Sequence, residues 1–242
     1  PADGIRLLHT SNLLSVIIPE LSACYGVEQK SPKRHHIYDV FNHSLMALHH
    51  CPLKKPIVRL ATLLHDIGKP PTQKKTDEGV ITFYNHELVS ARMVKQISYR
   101  LRLSKDDADL LYRLVRWHQF SVDERQTDSA IRRIIKNVGK ESMDDMLALR
   151  IGDRLGGGAQ ETSWRLELFK KRIIEVQKQP FTVADLAIDG FDVMNEFSIQ
   201  PSKKVGDILM ALFGEVEEQK LPNTKEALLA RLKEIHEREA IS

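Results

Sequence analysis

The chain has 242 residues, 42% of them hydrophobic and 29% charged, with a formal net charge of +3. These values are ordinary for a water-soluble globular protein of one large domain or two small ones. No apolar run approaches the ~20 residues that a membrane span needs, which excludes a spanning helix, and no secretory leader is evident. The first residue is Pro1 rather than Met, which a fragment or a processed product would explain.

The cysteines and the distribution of charge bear on the cellular location and on the kind of substrate. Cys24 and Cys51 lack CxxC spacing, which argues against a disulfide framework and favours a reducing, cytoplasmic location. Residues 180–242 carry 7 Lys/Arg and 12 Asp/Glu, a net of −5, whereas residues 1–179 carry a net of +8. The basic part favours an anionic substrate such as a phosphate or RNA, although scattered surface charges would give the same count.

Helical periodicity dominates the chain, which predicts an all-α fold. Apolar stripes are predicted at Ile57, Leu60, Ala61 and Leu64; at Leu111, Leu114, Val115 and His118; and at Ile208, Ala211 and Leu212. Helix starts, each a capping residue followed three positions later by an acid, are predicted at Ser104, Ser142, Thr182 and Asn223. Only residues 80–84 are β-prone, and they predict a loop with one short extended piece.

Breaks in the helical pattern suggest how the chain is divided. The clearest break lies near Pro180, where the charge balance also changes sign. We predict an N-terminal helical segment over residues 1–30, a metal-binding helical domain over 31–179 and a C-terminal helical tail over 180–242.

The segment Leu63–Lys69, with the sequence LLHDIGK, carries the strongest chemical signal. An apolar helix has no packing use for the adjacent His65 and Asp66, and burying both without partners would be costly. A divalent metal ion supplies the missing partner, because imidazole nitrogen and carboxylate oxygen both bind it. Gly68 is predicted to end the helix in a left-handed conformation. Lys69 is then expected to face a phosphate brought to the metal.

Four further residues occupy helical positions that suit a ligand of the same site: His43, His86, His118 and Asp153. His43 lies early in a predicted helix, and His86 follows Asn85, a plausible helix cap. His118 shares the inward face of its stripe, and Asp153 lies near a helix end. Any one of them is more often an ordinary core residue, but the joint pattern predicts a metal site.

The order of these residues resembles the HD superfamily of metal-dependent phosphohydrolases. His43, His65, Asp66 and Asp153 match the four signature ligands of one metal in that superfamily. His86 and His118 match the extra histidines of its binuclear members, in which Asp66 would bridge. The resemblance implies one or two divalent ions, with the ligand types fitting Mn, Fe, Co, Ni or Zn better than Mg.

A catalytic set follows from that resemblance and from position in the chain. Asp66 would hold the metals that activate water, and Lys69 is the first candidate for stabilising charge on the phosphoryl group. Arg92, one to two helical turns after His86, is the second candidate. Surface charge is the alternative interpretation of both Lys69 and Arg92.

A narrower resemblance extends over essentially the whole chain. The segments 13–29, 36–43, 183–190 and 221–224 are similar to bacterial tRNA nucleotidyltransferases, the CCA-adding and poly(A) polymerase family. This resemblance implies a helical body and tail that grip tRNA. The family's nucleotide-transferring head has a Gly-Gly-x-x-Arg-Asp-type loop and paired aspartates that this sequence lacks, and Gly156–Gly158 are predicted to end a helix instead. We therefore expect a missing or separate head, and no nucleotide addition by this chain.

The two resemblances together imply hydrolysis of nucleotide or RNA-end phosphate esters. The alternative is a non-catalytic tRNA-binding body whose metal site is a relic. A cyclic-dinucleotide phosphodiesterase of the HD-GYP type ranks last because its Gly-Tyr-Pro element is missing.

Residues that could contact RNA are predicted as well. The candidates are Arg100, Arg102, Arg132, Arg133 and Lys136 for phosphates and Trp117 and Phe120 for bases. The alternative interpretation is that these basic residues are ordinary surface charges and that the aromatic residues belong to the core.

Overall fold

The computed structural model describes two compact units. The described residues are 1–29, 38–77, 79–120, 125, 127–161, 163–177, 182–218 and 220–240. The first unit comprises Pro1–Glu124 and Ile134–Glu167, and the second comprises Arg125–Arg133 and Leu168–Ser242. Both predicted boundaries, at 30/31 and at 179/180, fall outside the described residues. The division into three domains therefore stays a prediction.

The fold is all-α, as predicted. The helices are α1 (Ala2–Thr10), α2 (Leu14–Ile17), α3 (Pro19–Ser22), α4 (Val40–His50), α5 (Pro56–Leu64), α6 (Lys69–Thr72), α7 (His86–Arg100), α8 (Lys105–Trp117), α9 (Asp128–Val138), α10 (Met143–Gly156), α11 (Trp164–Val176), α12 (Gly190–Phe197), α13 (Lys203–Glu217) and α14 (Lys225–Ala240). Short 3-10 helices span Lys140–Ser142 and Val183–Asp185. None of the described helices combines the length and the apolar character needed to cross a lipid bilayer.

The described strands form one antiparallel hairpin. Strand β1 (Lys74–Lys75) pairs with β2 (Ile81–Thr82), with Lys74 opposite Thr82. The β2 strand confirms the predicted extended piece. The β1 strand was not predicted, because two lysines have little strand propensity and become a strand only through their partner.

The first unit packs its helices closely where the candidate ligands lie. α10 lies along α4, α5 contacts α4, α8 and α10, and α7 packs against α8. A Cβ atom on Gly152 would lie 2.7 Å from the Ala47 carbonyl oxygen, and one on Gly156 would lie 2.5 Å from the Ala47 nitrogen. Only glycine permits this approach. It brings Asp153 of α10 beside His43 of α4.

The second unit has its own core. That core is formed by the Val183–Asp185 turn region and by α12, α13 and α14, through Leu186, Ile188, Val193, Phe197, Val205, Ile208, Leu212, Val216, Leu228 and Leu232. Ala211 is exposed, so its predicted place in the stripe is wrong. The buried face of α13 includes the predicted Ile208 and Leu212 and extends to Val205 and Val216.

Gly68 has a role other than the predicted one. Its φ of −81° and ψ of −6° are right-handed, so the left-handed helix end is wrong. A Cβ atom at Gly68 would lie 2.3 Å from the His86 carbonyl oxygen and 2.6 Å from the Ser90 nitrogen. The Gly68 N–H also donates to Ser90 Oγ at 2.8 Å. Glycine is therefore needed so that α7 can pack on the turn after α5, which sets His86 beside Asp66.

Gly68→Ala is expected to destabilise the first unit by roughly 1–3 kcal/mol, because the added methyl group must displace the α7 backbone. Gly4→Ala is the matched control, since a Cβ at Gly4 in α1 meets nothing within 4 Å. Both tryptophans, Trp117 and Trp164, belong to the first unit. Urea unfolding followed by tryptophan fluorescence therefore reports on this unit, and equal stability of the two variants would contradict the expectation.

Candidate metal centre

The six residues predicted as metal ligands meet at one place in the first unit. They come from the ends or first turns of five helices: His43 from α4, His65 and Asp66 just after α5, His86 from α7, His118 just after α8, and Asp153 from α10. The four imidazoles and Asp66 are each at most 4% exposed. The Asp153 side chain is 22% exposed. These elements place five polar side chains in a buried environment, as a metal site requires.

One donor set consists of His43, His65, Asp66 and Asp153. His43 Nε2 lies 3.3 Å from His65 Nε2, 3.1 Å from Asp153 Oδ1 and 3.5 Å from Asp66 Oδ2. His65 Nε2 lies 3.1 Å from Asp66 Oδ2 and 3.5 Å from Asp153 Oδ1. Ligands about 2.1 Å from a shared ion are roughly 3.0–3.5 Å from one another at octahedral or tetrahedral angles. The distances among His43, His65 and Asp66 fit donors around one ion, and Asp153 approaches the two imidazoles within the same range.

The second donor set consists of Asp66, His86 and His118. His86 Nε2 lies 3.3 Å from His118 Nε2 and 3.2 Å from Asp66 Oδ1. His118 Nε2 lies 3.6 Å from the same carboxylate oxygen. Asp66 thus turns Oδ2 towards the first set and Oδ1 towards the second. A carboxylate in this position can be shared by two cations.

Backbone hydrogen bonds fix which imidazole nitrogens are available. The Nδ1 atoms of three rings donate to the carbonyl oxygen three residues earlier: His65 to Thr62 at 2.8 Å, His86 to Phe83 at 2.8 Å and His118 to Val115 at 2.7 Å. In a neutral imidazole, an Nδ1 donor leaves a lone pair on Nε2. The lone pairs of His86 and His118 therefore face each other, which is repulsive unless a cation lies between them.

The electrostatics of the site favour a cation in the same way. Burial alone would raise the pKa of Asp66, but His65 and Lys69 hold that pKa well below its usual range. Burial disfavours charge on His65, yet the Asp66 carboxylate raises the pKa of His65 to about 10. Burial lowers the pKa of His118. His65 would therefore carry a proton beside the ionised carboxylates of Asp66 and Asp153. A divalent ion that binds these same side chains would displace that proton.

Lys69 contacts a candidate metal ligand, which was not predicted. It is 8% exposed, and its Nζ donates to Asp66 Oδ2 and to Gln29 Oε1, each at 2.6 Å. It also lines the cavity over the metal centre. Gln29 was missed because nothing in its local sequence marks it. These contacts let Lys69 hold the shared carboxylate, and its action on substrate stays a prediction.

A cavity of about 380 Å³ opens over the two donor sets. Tyr84, which is 76% exposed, and Arg150 line it together with five of the six candidate ligands. Arg150 donates to Asp153 Oδ2 at 3.4 Å from one helical turn away. Its spacing before Asp153 could have signalled it, although the sequence reading missed it. Arg92 is exposed on α7 and is not among the described residues that line this cavity, so its catalytic role stays a prediction.

The residues predicted to contact RNA differ in solvent exposure, and they belong to different units. Arg100 pairs with Glu20 at 2.6 Å, while Arg132 and Phe120 are buried at 4% and 8% exposure. Trp117 is half-buried, and Arg102, Arg133 and Lys136 are exposed. Arg132 and Arg133 belong to the second unit, and the other five belong to the first. A continuous groove through all of them stays a prediction.

Comparison with known proteins identifies the family. Residues 34–157 match the HD domain, and residues 137–232 match tRNA nucleotidyltransferase domain 2. The chain therefore belongs to the HD domain family, as the arrangement of His65, Asp66 and their partners predicts. Two groups of side chains in this domain, His43, His65 and Asp66, and Asp66, His86 and His118, have the spacing that could hold a metal ion.

The relatives include tRNA nucleotidyltransferases, which confirms the narrower resemblance. The chain is 32% identical over 223 residues to an A-adding tRNA nucleotidyltransferase of Deinococcus radiodurans, covering 87% of this chain and 49% of that protein. It is 31% identical over 235 residues to a CC-adding tRNA nucleotidyltransferase of Thermus thermophilus, covering 93% and 51%. A multifunctional CCA protein of Azoarcus sp. is 36% identical over 121 residues, covering 49% and 28%. The chain spans about half the length of the first two relatives.

Proposed function

We propose that the first unit is a metal-dependent phosphohydrolase that acts on nucleotide or RNA-end phosphate esters. The observation that carries the proposal is the position of Asp66, whose two oxygens face two separate sets of imidazole donors. When bound, divalent ions in such a pair lower the pKa of water and neutralise phosphate charge. Structural metal sites have no need of a shared carboxylate beneath an open cavity.

The chain's own residues would divide the work. His43, His65 and Asp153 would hold one ion, His86 and His118 would hold the other, and Asp66 would contribute to both. Lys69 and Arg150 add positive charge to the cavity wall, where phosphoryl oxygens would bind. A volume of about 380 Å³ is in the range that accommodates a nucleotide-sized ligand. Mixed nitrogen and oxygen donors favour Mn, Fe, Co, Ni or Zn over Mg.

The relatives supply the biological context of the proposal. Two of them are A-adding and CC-adding tRNA nucleotidyltransferases that are about twice as long as this chain. We infer that tRNA is a partner and that a nucleotidyltransferase head lies outside these residues, either in the same protein or in a separate one. The cytoplasm is the corresponding location.

Hydrolysis assays on a defined panel test the proposal. The panel contains 2′,3′-cyclic nucleotides, 2′-AMP and a general phosphatase substrate, each offered to protein loaded with one metal at a time. We expect turnover of at least one phosphate ester with bound metal and none after chelation. Stoichiometric metal binding without turnover of any substrate would favour the alternative, a non-catalytic tRNA-binding body.

A further inference from the structure

A second cavity lies beside the metal centre in the first unit. It has a volume of about 290 Å³ and is lined by Arg150, Arg154, Ser163, Trp164, Arg165 and Leu166. Three of these six residues are arginines and none is acidic. Arg150 also lines the cavity over the metals, so one side chain belongs to both cavities. An anion that extends from one cavity into the other would pass the Arg150 guanidinium and enter a second cavity whose charged lining residues are all arginines.

Trp164 gives this cavity an exposed aromatic wall. The residue is 63% exposed, while Leu166, two positions later, is 1% exposed. The Leu166 N–H donates to Ser163 Oγ at 3.3 Å, which fixes the first turn of α11. The backbone is thus held in place while the indole stays accessible. The Arg165 guanidinium lies 5.1 Å from the indole centroid, so a cation and an aromatic face are offered together.

Arg150 and Arg154, the other two arginines of this cavity, use few of their N–H donors in hydrogen bonds within the protein. Arg150 Nη1 donates to Asp153 Oδ2 at 3.4 Å, and Arg154 Nε donates to the Gln160 carbonyl oxygen at 3.2 Å. A guanidinium has five N–H donors in a planar fork that suits phosphate oxygens. Within the described ranges, no acidic side chain pairs with Arg154. This geometry leaves donor capacity for an anionic ligand.

We propose, on the basis of the proposed function, that the second cavity binds the nucleotide next to the phosphate held at the metal centre. Its base stacks on Trp164, and its backbone phosphate binds Arg154 and Arg165. Arg150 lies between this phosphate and the one at the metals. The substrate class is therefore the end of an RNA strand rather than a free mononucleotide. Stacking accepts any base, so no sequence preference is expected.

A binding measurement tests the subsite without any need for turnover. The probe is a short labelled oligoribonucleotide with a plain 3′-hydroxyl end, followed by fluorescence anisotropy on the metal-loaded chain. Trp164→Ala is expected to weaken binding roughly 5- to 100-fold, since each base stack on an aromatic side chain contributes this much. Arg154→Gln should reduce the dependence on salt by about one phosphate contact. Tyr99→Ala is the control, because Tyr99 is 89% exposed and lines neither cavity.

Hydrolysis measurements provide a second test of the subsite. Turnover of a 2′,3′-cyclic mononucleotide is compared with turnover of an oligoribonucleotide that carries the same cyclic end. Trp164→Ala should lower kcat/KM for the oligonucleotide roughly 5- to 100-fold and leave the mononucleotide within about twofold. Equal losses on both substrates, or unchanged oligonucleotide affinity, would overturn the subsite. If no variant hydrolyses either substrate, the proposed function fails, and the anisotropy result alone determines whether the subsite exists.

Discussion

Asp66→Asn is expected to remove both metal ions and to lower phosphate-ester hydrolysis by roughly 10³-fold or more, because metal-ion catalysis contributes several kcal/mol. Among the described residues, Asp66 is the one candidate ligand that belongs to both groups of closely spaced donor atoms. Asparagine keeps the size of the side chain but loses its charge, and its amide hydrogens would point at a cation. Elemental analysis of the purified variant, together with turnover, gives the measurement.

Variants of the other ligands make this expectation specific. Asp153→Asn alters only the first donor set and His118→Gln only the second, so each should retain one ion and lose the other. Asp145→Asn is the matched control, because Asp145 is also buried, at 7% exposure, but pairs with Lys55 at 2.7 Å outside the site. It should retain both ions. Retention of two ions by Asp66→Asn would show that Asp66 is not shared.

Removal of metal is expected to lower the thermal midpoint of the first unit by roughly 10 °C. Ligands that bind only the folded state stabilise it by about 4 kcal/mol when free metal exceeds its Kd about 1,000-fold, and each kcal/mol shifts a domain of this size by about 2–4 °C. The structural reason is that chelation leaves the Nε2 atoms of His86 and His118 facing each other at 3.3 Å in a buried environment. The fluorescence of Trp117 and Trp164 follows the unfolding of this unit.

The same Asp66→Asn variant provides the control for this measurement. Its midpoint should not respond to chelator, since it has no bound metal to lose. Returning metal to the stripped wild-type chain should restore the original midpoint. A wild-type midpoint that is identical with and without chelator would contradict the coupling of metal binding to stability.

The parts of the fold that depend on local sequence were predictable. Helical periodicity predicted the all-α class, and Ser104 caps α8 by accepting from the Asp107 N–H at 3.2 Å. Thr182, a predicted cap, forms a capping box with the acid three positions later, Asp185. The candidate ligand residues were also recognisable, because His65 and Asp66 continue an apolar helical stripe and have no stable buried environment without a partner. Their approach to one another, at 3.1–3.6 Å between side-chain atoms, depends on how the helices pack.

Tertiary contacts account for what the sequence did not predict. The Asn223 side chain does not cap α14; it bonds the Ala187 N–H and the Asp185 carbonyl oxygen, each at 2.9 Å. Thr224 accepts from the Ala227 N–H instead, at 3.3 Å. Local signals cannot distinguish a cap from a side chain used by a distant segment. The contact of Gln29 with Lys69 and the packing of α7 on Gly68 also join segments that are distant in sequence, so local signals did not predict them.

Anomalous diffraction from crystals of the metal-loaded chain, collected at the absorption edge of the metal, tests the shared metal centre most directly. We predict two peaks, one among His43, His65 and Asp153 and one between His86 and His118, both adjoining Asp66. An absence of density at these positions under saturating metal would contradict the metal centre and the hydrolytic function that depends on it.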